Sequence, residues 1–322
     1  MYVVVPEVKT TPFRPPAVAN TSKTVPFNKV LQFTVCLIGL YVVFAVVFYY
    51  YIVDNSPSTR IVYTYSPQQT SNTSGISEIN AELGRRLSFP VWNIAKEKVA
   101  VIVPYRKRRD DLLIFLTRII PFLNQQKKEY AIVITEQANS EAFNRAKLFN
   151  VAVKEIRQAS PGDRLRDIQC FILHDVDKLP ISSSALYECG QSVRQLATSF
   201  RSENKTLRLY DDFLGAVTAF RWEHIERING ASNIFYGWGG EDDDLAARLR
   251  LNKIPVDRAS DNDGIFDEFD ANHPRDMNEM RIELTTEESV ARRWKTDGLN
   301  QTSYHLHDRI NYDFFVWLLA SV

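Results

Sequence analysis

One uninterrupted apolar stretch dominates the N-terminal part of the chain. From Phe33 to Val53 the sequence reads FTVCLIGLYVVFAVVFYYYIV, without a charged residue, close to the ~20 residues a helix needs to cross hydrocarbon. No polar face interrupts it, which argues against a buried core helix. It is too long for a signal peptide, and no small-residue cleavage site follows. Further on the pattern shortens and alternates in type. VAVIV, closed by Pro104, reads as a fully buried parallel strand, and LLIFLTRIIPFLNQQ follows with helical spacing that Pro121 ends or kinks. EYAIVITEQ is a second buried strand. FNRAKLFNVAVKEI is a helix expected to start near Ala142 with Ser140 as its cap, and CFILHDVD is a third strand running into acids. Strand–helix alternation of this kind predicts an α/β fold, an open sheet flanked by helices, with ligands gathering at the carboxyl ends of the strands.

Charge places the apolar stretch in a membrane with a direction. Lys9, Arg14, Lys23 and Lys29 precede it, while Asp54 and Arg60 follow. The positive-inside rule keeps residues 1–32 cytoplasmic and sends everything after residue 53 across the bilayer, a single-pass type II arrangement. Tyr49, Tyr50 and Tyr51 suit the interface. Residues 54–85, rich in Ser, Thr, Asn, Gln and Pro, read as a lumenal stem, which leaves 86–322 as the catalytic-size domain. A span with a stem is also compatible with a homodimer. Lys and Arg number 39, as do Asp and Glu. No global field or basic block therefore favours nucleic acid, and function must reside in a local site.

The chain has three cysteines. Cys36 lies in the apolar span, as a small filler or a palmitoylation site. Cys170 and Cys189 fall in the expected oxidising compartment, as a disulfide or as two buried thiols. Asn72, Asn204 and Asn300 each open an N-x-[ST] sequon on the lumenal side.

Three polar clusters stand just past strand ends: Tyr105-Arg106-Lys107-Arg108, Glu136-Gln137 and Asp175-Val176-Asp177. No G-x-G-x-x-G or G-x-x-x-x-G-K-[ST] cradle is present. A bound diphosphate would need a metal, and the hard carboxylates of D-V-D suit Mg²⁺ or Mn²⁺. In an extended strand Asp175 and Asp177 would share one face. His273 sits among acids in FDANHPRDMNE, three residues after Asp270, and imidazole also suits such metals. His174, His224, His305 and His307 have no such context and read as structural or exposed. FYGWGGEDDD reads as a glycine loop entering a helix whose first turn carries Glu241, Asp242, Asp243 and Asp244.

Taken in order, VAVIVPYRKR, FNRAKLFNVAV, CFILHDVDKLP, LGAVTAF, FYGWGGEDDD, NHPRDMNE and TDGLN resemble the β-1,4-galactosyltransferases, type II Golgi membrane enzymes. The resemblance spans residues 99–300 and implies a GT-A-like mixed sheet, a UDP-sugar donor (UDP-galactose), a glycan acceptor and Mn²⁺. It assigns Pro104, Tyr105, Arg106, Arg108, Phe143 and Arg145 to the nucleotide, with the Phe143 ring against uracil. Asp175, with Val176, would contact donor hydroxyls, while Asp177 and His273 would ligate the metal. Trp238 would lie on a mobile loop over the donor. Glu241, Asp242 and Asp243 would face the acceptor sugar, with Asp242 as general base in an inverting transfer. It also implies that Cys170 and Cys189 are bridged.

Two departures bear on chemistry. The family's methionine ligand is Asp270 here, a harder donor. Phe213 stands where a tyrosine is usual beside the donor's acetamido position, which brings N-acetylgalactosamine into contention with galactose. A non-catalytic lectin-like protein is the reading from a different class. The like charges at 241 and 243 are expected to raise the pKa of Asp242, and the glycines to let the loop close over the donor.

Overall fold

The computed structural model describes residues 74–88, 97–126, 128–203, 205–271, 273 and 275–322. The apolar span at 33–53, the tail before it, Asn72 and Asn204 lie outside these. Among the described residues no helix is long and apolar enough to cross a membrane.

The chain forms, in order, α1 (Ser74–Arg86), β1 (Lys98–Tyr105), α2 (Arg109–Gln125), β2 (Glu129–Gln137), α3 (Arg145–Arg157) and β3 (Cys170–His174). Then come β4 (Lys178–Pro180), β5 (Val193–Gln195), β6 (Ser199–Ser202), β7 (Lys205–Arg208), β8 (Val217–Arg221), α4 (Trp222–Arg227) and α5 (Glu241–Leu251). The last are β9 (Val256–Arg258), β10 (Ile265–Glu268), α6 (Arg281–Leu284), α7 (Glu287–Arg293), β11 (His305–Asn311) and β12 (Val316–Ser321).

The main sheet has the strand order β11-β12-β2-β1-β3-β8-β5-β9, and β4-β10-β6-β7 form a second sheet. The main sheet is mixed: β1 pairs parallel with β2 and β3, whereas β8 pairs antiparallel with β3 and β5. The β-branched runs are central because both their faces are covered. Val99, Val101 and Val103 belong to one core with Ile79, Leu83, Leu112 and Phe115 of α1 and α2. Ala100 and Ile102 belong to the other, with Phe149 and Val153 of α3 and Leu245 and Leu249 of α5. A strand alternating between two apolar layers reads as continuous hydrophobicity, which is the signal the sequence carries.

Several boundaries differ from the sequence reading. β1 runs through Pro104 to Tyr105, because the parallel register with β2 continues to Glu136. Pro121 lies inside α2 and ends nothing. α3 starts at Arg145, later than expected: the Asn144 side chain accepts from the Lys147 amide at 2.8 Å, and Asn144 itself is held by Gln137 and Asn233. The packed domain begins before residue 86. Helix α1, within the segment read as stem, buries Ile76, Ile79 and Leu83 and pairs Glu78 with Arg109 at 3.1 Å. Its polar neighbours hide an amphipathic spacing that only docking reveals. Cys170 and Cys189 are bridged, Cα to Cα 5.6 Å.

Replacing Leu83 with Ala should lower the unfolding free energy by about 2–5 kcal/mol, the usual cost of a truncated core leucine. Urea unfolding of the protein measures it; an unchanged midpoint would show that α1 is not part of the cooperative unit.

Candidate active site

The strand ends deliver their polar residues into one cleft of about 1330 Å³. Its lining includes Pro104, Tyr105, Arg106 and Arg108 after β1, Phe143 and Arg145 at the start of α3, and Asp175, Val176 and Asp177 after β3. Phe213, Trp238, Glu241, Asp242, Asp243, Asp270 and His273 complete it. Every residue singled out for donor, acceptor or metal thus faces a common space. Lys178, Tyr210, Glu268, Arg275 and Arg281 also line the cleft and were not singled out. For Lys178 the available signal was adjacency to D-V-D, and for Arg275 its place in NHPRDMNE two residues after His273; Tyr210, Glu268 and Arg281 carry none.

The D-V-D segment departs from expectation. β3 ends at His174, and Asp175 to Asp177 form a turn, so the two carboxylates do not share a strand face. They face different cations instead. Asp175 Oδ1 accepts from Arg145 Nε at 2.6 Å. Asp177 takes Lys178 Nζ at 2.7 Å on one oxygen and Arg108 Nη2 at 3.1 Å on the other. Burial works to raise the Asp177 pKa, but Lys178 and Arg108 outweigh it and hold the group below the usual carboxylate value. Beneath this turn His174 is fully buried between the Tyr187 hydroxyl at 2.7 Å and the Asp175 carbonyl at 2.8 Å, and burial pushes its pKa down to about 4. It is a structural histidine, as its context suggested.

His273 Nδ1 lies 3.4 Å from Asp177 Oδ2 and 4.0 Å from Asp270 Oδ2. It is also 2.8 Å from the Asp270 carbonyl, an acceptor-only partner, so Nδ1 is the donor in that contact. A backbone carbonyl orienting the ring in this way is the usual second contact of a metal-binding imidazole. Two carboxylates and one imidazole fit a hard or borderline divalent cation by donor type. Among the described residues no three such groups converge into a ready metal cage. Arg108 Nη2, 2.7 Å from Asp270 and 3.1 Å from Asp177, places one positive charge between the two acids.

At the other wall, Gly240 occupies the left-handed region (φ 93°) directly before α5, where a Cβ would meet the Phe235 ring at 2.9 Å. Glycine is required there by packing as well as by conformation. The adjoining loop is pinned: Trp238 donates to the Asp276 carbonyl at 2.6 Å and accepts from Asn278 at 3.0 Å, and Gly237 donates to Phe143 at 2.9 Å. The Trp238 ring is about half exposed (47%) beneath the Arg275 guanidinium. The glycines that read in sequence as a hinge also serve close packing, since a Cβ at Gly237 would meet the Asp276 carbonyl at 2.7 Å.

The four acids divide by environment. Asp243 is exposed and accepts from the Tyr210 hydroxyl at 2.9 Å. Asp242 lies against Gly215, where a Cβ would meet its Oδ2 at 2.6 Å and the Phe213 ring at 2.7 Å. Its pKa is raised, by burial first and by the Asp243 charge second, with Arg145 opposing. The sequence reading gave the like charges first place; desolvation is the larger cause. Glu241 is raised to about 7, again by burial first and then by Asp242. Its Oε1 is 3.7 Å from Arg145, while Glu241 Oε2 and Arg145 Nη2 are buried without hydrogen-bond partners among the described residues. Two unsatisfied polar atoms facing a cleft are groups a polyhydroxyl ligand could satisfy. Asp244 points the other way. It is fully buried, with Arg248 Nε at 2.6 Å and Arg293 on its second oxygen.

Comparison with known proteins accords with this geometry. Residues 55–190 match a family model described as the N-terminal region of glycosyl transferase group 7. Residues 196–272 match one described as the N-terminal domain of galactosyltransferase. β-1,4-Galactosyltransferase 4 of Mus musculus is 37% identical over 238 residues, covering 72% of this chain and 66% of the relative. The chain belongs to the β-1,4-galactosyltransferase family. The Homo sapiens β-1,4-galactosyltransferase 4 is 38% identical over 229 residues, with 70% of this chain and 64% of the relative covered. The chain therefore spans slightly under two thirds of the length of these curated relatives. The GT-A-like fold is shared with the catalytic domain of Drosophila β-1,4-galactosyltransferase 7, solved in complex with xylobiose. That match has a TM-score of 0.58 at 25% identity and covers 70% of this chain and 94% of that one. A mutant of the same enzyme, solved with manganese, UDP-Gal and xylobiose, matches with a TM-score of 0.58 at 26% identity.

The Glu241 shift has a sign that can be checked. Because its folded pKa of about 7 exceeds the ordinary 4.5, the folded state holds the proton more tightly, so this contribution is present below 4.5 and lost as pH rises through about 7. Glu241→Gln should therefore gain stability over the parent at pH 8 and show little difference at pH 4. Unfolding free energies at the two pH values test this, and an equal difference at both would refute the shift.

Proposed function

We propose that this chain is an inverting glycosyltransferase that moves galactose from UDP-galactose, in β-1,4 linkage, to a terminal GlcNAc or Glc acceptor on a glycoprotein or glycolipid. The observation that carries the reading is the single cleft in which the basic cluster, the Asp175–Asp177 turn, His273 and the Glu241–Asp243 acids meet. Its support is family membership together with the manganese and UDP-Gal bound in the Drosophila relative.

On this reading Phe143 offers its ring to the base, with Arg106 above it at 5.4 Å, and Arg106 and Arg108 meet the diphosphate. Arg145 and Asp175, paired at 2.6 Å, hold donor hydroxyls between them. Asp177, His273 and Asp270 would hold a divalent cation, Mn²⁺ by family analogy, which supplies positive charge beside the leaving diphosphate. The acceptor hydroxyl, oriented by Glu241 and Asp243, gives its proton to Asp242. Its oxygen forms the new bond to the anomeric carbon as the bond to the diphosphate breaks. Asp242, with its raised pKa, is a stronger base than a solvated aspartate. Trp238 covers the cleft and limits water. The type II orientation rests on residues 33–53 and the charges that flank them, and the Golgi placement on analogy with the family.

A second donor is favoured by one observation. Phe213 meets Tyr210 and Phe200 edge-on, at 5.4 and 6.0 Å, and presents no hydroxyl to the cleft. UDP-N-acetylgalactosamine is then a competing donor, and transfer of it to the same acceptor is the alternative activity.

The lumenal domain, incubated with each UDP-sugar and a GlcNAc acceptor, decides between donors and excludes a lectin if free UDP is released. Asp242→Asn should lower kcat by roughly 10²–10⁴-fold, the range typical of a general base, while UDP binding by calorimetry stays at parental strength. Parental turnover in that variant would remove Asp242 from the mechanism.

A further inference from the structure

Of the three sequons that follow the apolar span, the one at Asn300 lies wholly within the described structure, and its two key side chains sit in opposite environments. Asn300 is exposed on the short 3₁₀ turn Leu299–Gln301. Thr302 is buried, 4% exposed, with its hydroxyl 2.8 Å from Asn233 Oδ1 and 2.9 Å from the Gly298 carbonyl. The turn itself is held by Asn229, whose Oδ1 accepts from the Asn300 amide at 2.9 Å and whose Nδ2 donates to Gln301 at 2.8 Å. These bonds leave the Asn300 side chain facing solvent.

We infer that Asn300 carries an N-linked glycan, and that it is attached before this segment folds. The inference rests on the lumenal placement proposed above. An oligosaccharide-transferring enzyme must read the hydroxyl of the third sequon residue, and in the folded domain that hydroxyl is enclosed and already bonded. The triplet is readable only in the extended chain; once folded, the threonine becomes part of the packing while the asparagine stays outside. A glycan is bulky and must lie on the surface, a condition Asn300 meets.

The residues that follow Asn300 are tied to the C-terminal end of α3. Lys154 Nζ donates to the Thr302 carbonyl at 2.7 Å, and the Tyr304 hydroxyl bonds Glu155 at 2.5 Å. Both partners are at the C-terminal end of α3, whereas Arg145, at its first turn, lines the cleft. At 1.5 Å rise per residue, Lys154 lies roughly 13 Å along the helix from Arg145.

The test uses the full chain expressed in secretory cells. Enzymatic glycan release in ¹⁸O-water should label Asn300 in the tryptic peptide 296–309, which holds no other sequon. Asn300→Gln should lose one glycan and keep parental thermal stability and sugar transfer. Thr302→Ala should lose the glycan and also unfold at lower temperature, whereas Thr302→Ser should keep both. Folded, unglycosylated protein offered to a microsomal glycosylating extract should stay bare at Asn300. An unmodified peptide from cells that do modify Asn72 or Asn204 overturns the inference and leaves lumenal placement standing. A chain bare at all three overturns both. Modification of the pre-folded protein would overturn the proposed order of events.

Discussion

The position of the acidic cluster depends on a buried charge that takes no part in the cleft. Asp244 sits between Arg248 and Arg293, and the Asp244 and Arg248 side chains are fully enclosed. Asp297 extends the network, 3.4 Å from Arg248 and 3.5 Å from Arg293, and accepts the Asn233 amide at 2.8 Å. The helix carrying Glu241–Asp243, the loop before it and the 281–297 segment thus share one ionic knot. Burying a charge costs several kcal/mol, and a paired arrangement gains little over a well-packed apolar one. What the contacts do is tie the first turn of α5 to the 281–297 segment, with Arg248 on one Asp244 oxygen and Arg293 on the other. Phe235, under the Arg293 guanidinium at 5.5 Å and against Gly240, transmits that constraint to the Trp238 loop.

With the helix start held, the cleft balances its own charge. Asp175 is matched by Arg145, and Asp177 by Arg108 and Lys178; Lys178 also meets Glu268 at 3.1 Å. Apart from the adjacent Asp177 and Lys178, these pairs join groups from different elements, so closing the fold also neutralises the site. Glu241 and Asp242 are the exceptions, since Arg145 must serve Asp175 as well. Their pKa values rise because burial removes water faster than one guanidinium restores charge. A carboxylate short of compensation is the kind that accepts a proton, which ties the electrostatics of the site to the chemistry proposed for it.

Some of this was legible in the residues alone. Strands β1, β2 and β3 stand out because both faces are buried, and the α/β class follows from their alternation with helices; the mixed character of the sheet was implied only by the family resemblance. The clusters after the strand ends are visible because such sheets bind ligands there. The shape of the D-V-D turn was not legible, since whether a strand extends past His174 depends on β8 and the second sheet. Nor was α1: Ile76, Ile79 and Leu83 are three apolar residues in a polar stretch, and their spacing acquires meaning only against α2. Glycines around Trp238 read as freedom, and the neighbours that crowd them are Phe235 and residues of 276–285.

The chain's order by itself determined the periodic, short-range features: which runs become buried strands, where acids and bases cluster, which triplets are sequons, and which motifs the family shares. These depend on neighbours a few residues away. Only the tertiary structure decided which charges meet, that Asp244 turns inward while Asp242 faces the cleft, and that burial outranks like-charge repulsion in setting the carboxylate pKa values. Those outcomes are sums over groups up to about 160 residues apart in sequence, as Arg108 and Asp270 are, and desolvation has no value until the chain has closed around the group.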